Sequence, residues 1–166
     1  MGRRLVLAVC IILSIVVLAT CLFACHKTTT LVPEGRTTSS ISLYYRADAD
    51  AETKSYDLSF EEIVDMLSKL DECGVVEKDL LSAVSGTVLN EYFTYEIRVN
   101  IDKKGLKKAK TIYIYVGRVQ SVANPLGGTI DNVSKDYIRM KDGDTYKGTA
   151  TNDLLTYLGT LAKKTS

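Results

Sequence analysis

Hydrophobic and polar positions divide the chain into three stretches of different character. From Leu5 to Ala24 no residue is charged, and only Ser14 and Thr20 interrupt the apolar run. An α-helix rises about 1.5 Å per residue, so about 20 such residues span the roughly 30 Å hydrocarbon core of a bilayer. A helix apolar on every side has no wet face to offer a small soluble domain. Residues 26–40 follow, rich in Thr and Ser, with Lys27, Pro33, Gly35 and Arg36 and no periodicity. This composition predicts a flexible polar tether. Residues 41–166 are different again: their apolar positions recur at spacings of two or of three and four, the marks of strands and helices.

Ile41 to Arg46 reads as a strand, with Ile41, Leu43 and Tyr45 alternating against Ser42, Tyr44 and Arg46. Helical spacing appears from Phe60 to about Glu72, where Ile63, Met66, Leu67 and Leu70 share one face. Ser59 and Glu62 form a capping box at its start, and Gly74 supplies a left-handed stop. Val75 to Ser85 fits either a short helix or a strand. The strongest strand pattern is Tyr92 to Ile101. Phe93, Tyr95, Ile97, Val99 and Ile101 fall on one side, and Tyr92, Thr94, Glu96, Arg98 and Asn100 on the other. A lysine-bearing connection leads to a return strand, Thr111 to Val116, so the two are expected to be antiparallel neighbours.

Gly117 to Lys135 is expected to be largely irregular, because Asn124, Pro125, Gly127 and Gly128 punctuate it, with Thr129 to Val133 a candidate short strand. Tyr137 to Lys141 and Thr145 to Lys147 read as short strands about an Asp142-Gly143-Asp144 turn. Thr151 can cap a last helix whose apolar face is Leu154, Leu155, Leu158 and Leu161. The fold class implied is α+β, a mainly antiparallel curved sheet packed by two helices, which buries both helical faces most simply. The short strands from Gly128 to Lys147 also faintly resemble elements of SH3-like small barrels. That resemblance implies a barrel element in the C-terminal half as an alternative.

Arg3 and Arg4 precede the uncharged run. Positive residues are retained in the cytoplasm, so the pattern places the N-terminus inside and residues 26–166 on the extracytoplasmic side of the cell membrane. Residues 1–25 are then either a retained transmembrane anchor or a signal peptide. Length favours retention, since secretory apolar regions usually run about 7–15 residues. Leu22, Phe23, Ala24 and Cys25, followed by a polar run, resemble the lipobox of bacterial envelope lipoproteins. That resemblance implies removal through Ala24 and lipidation of Cys25. Either route makes the membrane a partner, through a helix or a lipid.

Composition narrows the function by what is missing. The chain has 21 basic and 20 acidic residues, so it lacks the basic excess of a nucleic-acid binder, and no nucleic-acid partner is expected. Its single histidine, His26, lies in the expected tether, and only Cys73 of the four cysteines falls in the domain. No histidine-based catalytic triad or zinc site can be assembled from such a domain. No phosphate-loop or dinucleotide fingerprint occurs. No cofactor and no metal are expected, although Asp48, Asp50 and Glu52 are spaced two apart as calcium ligands could be. A solvated loop explains those three more simply. A carboxylate-dependent envelope enzyme is the alternative, since any acid-rich domain offers carboxylate pairs.

Two surfaces are candidates for binding. Lys103, Lys104, Lys107 and Lys108 cluster with Lys110 in the connection after Ile101, where they could meet an anionic lipid or wall polymer or merely guard a strand edge. Tyr113 and Tyr115 share a strand face, with Tyr92 on the neighbouring strand. Exposed tyrosines offer apolar area with a polar handle, while covered ones are ordinary cross-strand pairs. The expectation is a membrane-anchored extracytoplasmic binding or structural module of the cell envelope, facing an envelope protein or an anionic polymer.

Overall fold

The computed structural model describes residues 28–31, 37–79, 88–102, 109–124 and 126–164. Its strands are β1 (Thr28–Thr30), β2 (Thr38–Tyr45), β3 (Lys54–Asp57), β4 (Val75–Lys78), β5 (Val88–Ile101), β6 (Lys110–Ala123), β7 (Thr129–Asp142) and β8 (Asp144–Thr149). Its helices are α1 (Phe60–Glu72) and α2 (Asn152–Ala162). The strands form one eight-stranded sheet in the order β1-β4-β8-β7-β6-β5-β2-β3, with every neighbouring pair antiparallel. The α+β reading holds. The C-terminal strands β7 and β8 belong to this single sheet, and β7 is one of its central members, so the barrel alternative is set aside.

Both helices bury their apolar stripe on one face of the sheet. Met66 and Leu70 of α1 and Leu154, Leu158 and Leu161 of α2 join Leu43, Ile97, Ile112, Ile114, Ile138 and Met140 in one core. The sheet residues share a face because they lie opposite one another: Leu43 pairs with Ile97, Ile97 with Ile114, and Ile114 with Met140. The capping box of α1 forms as its sequence predicts, with Ser59 Oγ accepting from the Glu62 amide and Glu62 accepting from the Ser59 amide. Gly74, at φ +72°, ends that helix in the left-handed region. Thr151 caps α2 through the Leu154 amide.

Two expectations change. The polar run taken for a free tether contributes β1, which pairs with β4, and its Leu31 is only 1% exposed within the core. It also supplies the first residues of β2, from Thr38. β-branched threonines suit a short polar edge strand, and such a strand needs no apolar alternation. Second, β6 does not stop at Gly117 but continues to Ala123, and β7 begins at Thr129, so each is 14 residues long. Lys54–Asp57, to which the sequence pattern assigns no element, is an edge strand held by pairing with β2. After Gly74, Val75–Lys78 forms strand β4, and the rest of the ambiguous stretch, from residue 80, lies outside the described residues.

Candidate functional site

At the level of Gly117 the inward–outward alternation changes phase on adjacent strands. Phe93 pairs with Arg118, and Tyr95 with Val116, two residues further on each strand. Plain alternation would set Phe93 on the core face with Val116. Instead the Phe93 ring lies 5.1 Å from that of Tyr115, which points away from the core, and Arg118 lies over Tyr137. Thr94 and Gly117 are the residues between, and Gly117 takes φ +75°. On β7 the same level holds an irregularity, since Val116 pairs with Ile138 but Arg118 with Ser134. A bulge re-aims the side chains on either side of it.

The phase change gathers aromatic and arginine side chains on the sheet face opposite the helices. Arg98 sits 3.8 Å from the Tyr44 ring centroid and 5.8 Å from that of Tyr113. Its Nε donates to Glu96 at 2.6 Å and its Nη1 to the Tyr44 hydroxyl at 3.1 Å. Arg139 donates both terminal nitrogens to Glu91, at 2.8 and 3.0 Å, and lies 4.9 Å from the Phe93 centroid. Arg118 stacks 4.1 Å from the Tyr137 centroid, and the Lys141 ammonium lies 5.5 Å from that of Tyr115. Guanidinium groups combine weak hydration with a flat stacking surface, so this pairing with rings suits a half-wet face.

Electrostatics within the layer are largely matched. The Arg139 hydrogen bonds hold the Glu91 carboxyl below its usual value, against partial burial. Burial works to lower Arg139, but the Glu91 pair outweighs it and the guanidinium ends raised. The Glu96 hydrogen bond raises Arg98. Burial pushes the Tyr115 hydroxyl up, with Glu96 adding to it. Glu91 and Glu96 are therefore acceptors for arginines. A general acid needs a raised pKa, and the salt-bridged Glu91 is shifted the other way.

The structure brings Tyr113 and Tyr115 together on this face, as expected. Tyr92 pairs with Val119 and lines a cavity on the helix side, and it also lines a smaller pocket with Phe93, Glu96 and Tyr115. Phe93 joins that group, its ring beside Tyr115. Lys103, Lys104, Lys107 and Lys108 and Cys25 lie outside the described residues. The sequence reading missed Tyr44, Arg118, Arg139 and Tyr137. Their signal was faint, an arginine or tyrosine at every second position of the polar phase, beyond a glycine that concealed the strand.

The cavity on the helix side has a volume of about 440 Å³. Tyr92, Tyr95, Val119, Val133 and Leu155 of α2 give it apolar walls. Thr94, Gly117 and Lys135, from the level of the phase change, line it too. Elsewhere, Asp48 turns its carboxylate onto its own loop, accepting from the amides of Asp50 and Ala51. Among the described residues no group of three or more metal-ligating side chains is placed to hold an ion. None of the described helices is long and apolar enough to cross a membrane, and Leu5 to Ala24 falls outside the residues described. Cys73 caps α1 and its thiol donates to the Lys69 carbonyl oxygen at 3.3 Å. Comparison of the chain with family models, curated proteins and solved structures finds no match.

Proposed function

We propose that this chain is a membrane-anchored binding module of the cell envelope, with its domain on the extracytoplasmic side and its arginine–tyrosine face turned to an anionic envelope polymer. The observation that carries the reading is a sheet face that neither described helix covers. Two helices are spent on one side of the sheet, and the other side is furnished with Arg98, Arg118, Arg139 and Lys141 among aromatic rings. Glu91 and Glu96 neutralise two of those four cations. The remaining positive charge suits a polyanion, and the rings offer flat contact to its repeating units. The anchor rests on the uncharged run from Leu5 to Ala24 behind two arginines. Cys25 is the residue that would carry lipid if the segment is removed.

Two measurements test this. Intact mass of the native protein extracted from membranes should show either the full chain or loss through Ala24 with added acyl groups. Loss of the segment without lipid, or a full-length product free in the cytosol, overturns the anchor. For the face, the full chain should be retained by a phosphate-bearing wall polymer in a salt-sensitive way. The double substitution R118Q/K141Q removes the two cations outside the glutamate pairs, and it should weaken retention severalfold. Retention that ignores both salt and this substitution overturns the choice of surface.

A further inference from the structure

We infer that the cavity at the level of Gly117 is a binding site for a small organic anion with a flat apolar body. It is separate from the arginine–tyrosine face and lies on the helix side of the sheet. Its volume of about 440 Å³ falls within the few hundred to a thousand Å³ typical of small-molecule sites. Tyr92, Tyr95, Val119, Val133 and Leu155 make the enclosure mainly apolar. One face of Tyr95 is already occupied by Tyr45, with centroids 5.5 Å apart, which fixes the ring as part of the wall. Residues able to supply polar contacts are few and differ in kind: Thr94, the two tyrosines and Lys135.

Among the described residues, Lys135 is the only one lining the cavity that carries a charge. The nearby Asp48 of the β2–β3 loop, next to the lining residue Ala47, has its carboxylate engaged by two amides of its own turn. An apolar enclosure with a single cation at its boundary selects an apolar body carrying one negative head. Two tyrosine rings favour an aromatic body over a branched aliphatic one. The local backbone supports a built site. Gly117 adopts φ +75°, and a Cβ there would crowd Thr94 at 3.1–3.2 Å. Irregular backbone of this kind, held on neighbouring strands by pairing above and below, is concentrated at ligand sites.

Equilibrium dialysis of the full-length chain in lipid nanodiscs, with empty nanodiscs as the blank, tests the assignment. The probes are naphthalene-2-sulfonate and its neutral analogue naphthalene-2-sulfonamide, which share a body and differ in charge. The sulfonate should bind more tightly, by roughly fivefold, the worth of one partly exposed ion pair. K135Q should reduce sulfonate binding to the sulfonamide level and leave the sulfonamide unaffected. V133W, at a half-exposed position able to accept the ring, should abolish binding of both while thermal unfolding stays cooperative. Equal affinity for the two probes, no binding of either, or binding that survives V133W overturns the inference.

Discussion

Gly117 packs against Thr94 so closely that a Cβ at position 117 would stand 3.1 Å from the threonine Oγ1 and 3.2 Å from its Cβ. The same Cβ would come within 3.5 Å of the Lys135 carbonyl oxygen. Gly117 therefore answers two demands at once, a left-handed φ of +75° and the absence of a side chain. For an L-residue the backbone demand alone costs about 1–2 kcal/mol, and the crowding adds to it. G117A should lower unfolding stability by about 2–3 kcal/mol. Urea unfolding should show this as a lower midpoint with an unchanged slope. A midpoint within experimental error of the parent would mean that the phase change does not depend on this residue.

A second glycine makes a different demand. Gly148 has an ordinary backbone, yet a Cβ there would stand 2.6 Å from Val76 Cγ1. Val76 is buried on β4, beside β8, so it has little freedom to retreat. G148A should cost about 1–3 kcal/mol by overpacking. V76A alone should also destabilise, because it removes buried methyls. Together they should cost less than the sum, since the added methyl enters the vacated space. Thermal unfolding of the four proteins measures the coupling, and strict additivity would show that the two residues do not meet.

The two helices were legible in sequence because each carries a complete signal: a cap, a three-and-four stripe and, for α1, a stop. Ile97, Val99 and Ile101 were legible as core for the same reason, an uninterrupted period of two. The lower parts of β6 and β7 were not. Gly117 reads locally as a breaker, and the phase change beside it inverts the alternation, so Phe93 was assigned the wrong side. The candidate face was legible only in Tyr113 and Tyr115, which lie above that level. Arg118 and Tyr137 meet only because neighbouring strands are irregular at the same height, a relation that no single segment encodes.

Glu62 links the two helices to an edge strand, and its ionisation sets an acid limit. Beyond its capping bonds it accepts from the Tyr56 hydroxyl at 2.9 Å and from Lys164, past the end of α2, at 2.6 Å. Partial burial opposes ionisation, but the Lys164, Ser59 and Tyr56 hydrogen bonds outweigh it and lower the carboxyl from 4.5 to about 2. Between those values the unfolded chain binds the proton that the folded chain refuses. The stabilisation is complete above pH 4.5 and is lost as pH falls through about 2. E62Q keeps a capping side chain but not the charge. It should cost about 1 kcal/mol at pH 7, and it should flatten the loss of stability between pH 4.5 and 2. Denaturant titrations at pH 7, 4 and 2.5 check both, and an equally steep acid limb in E62Q would assign that limb to other carboxylates.

The folded unit begins before the end of the polar run. Thr28–Thr30 adds a strand to β4, and the Leu31 side chain behind it is 1% exposed. Residue 28 is three positions beyond Cys25, so a lipid on that cysteine would hold the sheet edge close to the bilayer with little slack between. The length of the run suggests a spacer, but Leu31 places part of it in the core. Two changes separate these roles. L31A removes buried methyls and should cost about 2–5 kcal/mol. T29G leaves the core intact and weakens only an edge strand, so it should cost about 1 kcal/mol or less. A chain beginning at residue 37 lacks both β1 and Leu31 and should be less stable than one beginning at residue 28, by at least the L31A amount. Thermal unfolding of the two lengths and the two substitutions settles where the domain starts. Equal stability for the two lengths would return residues 28–31 to the role of a spacer.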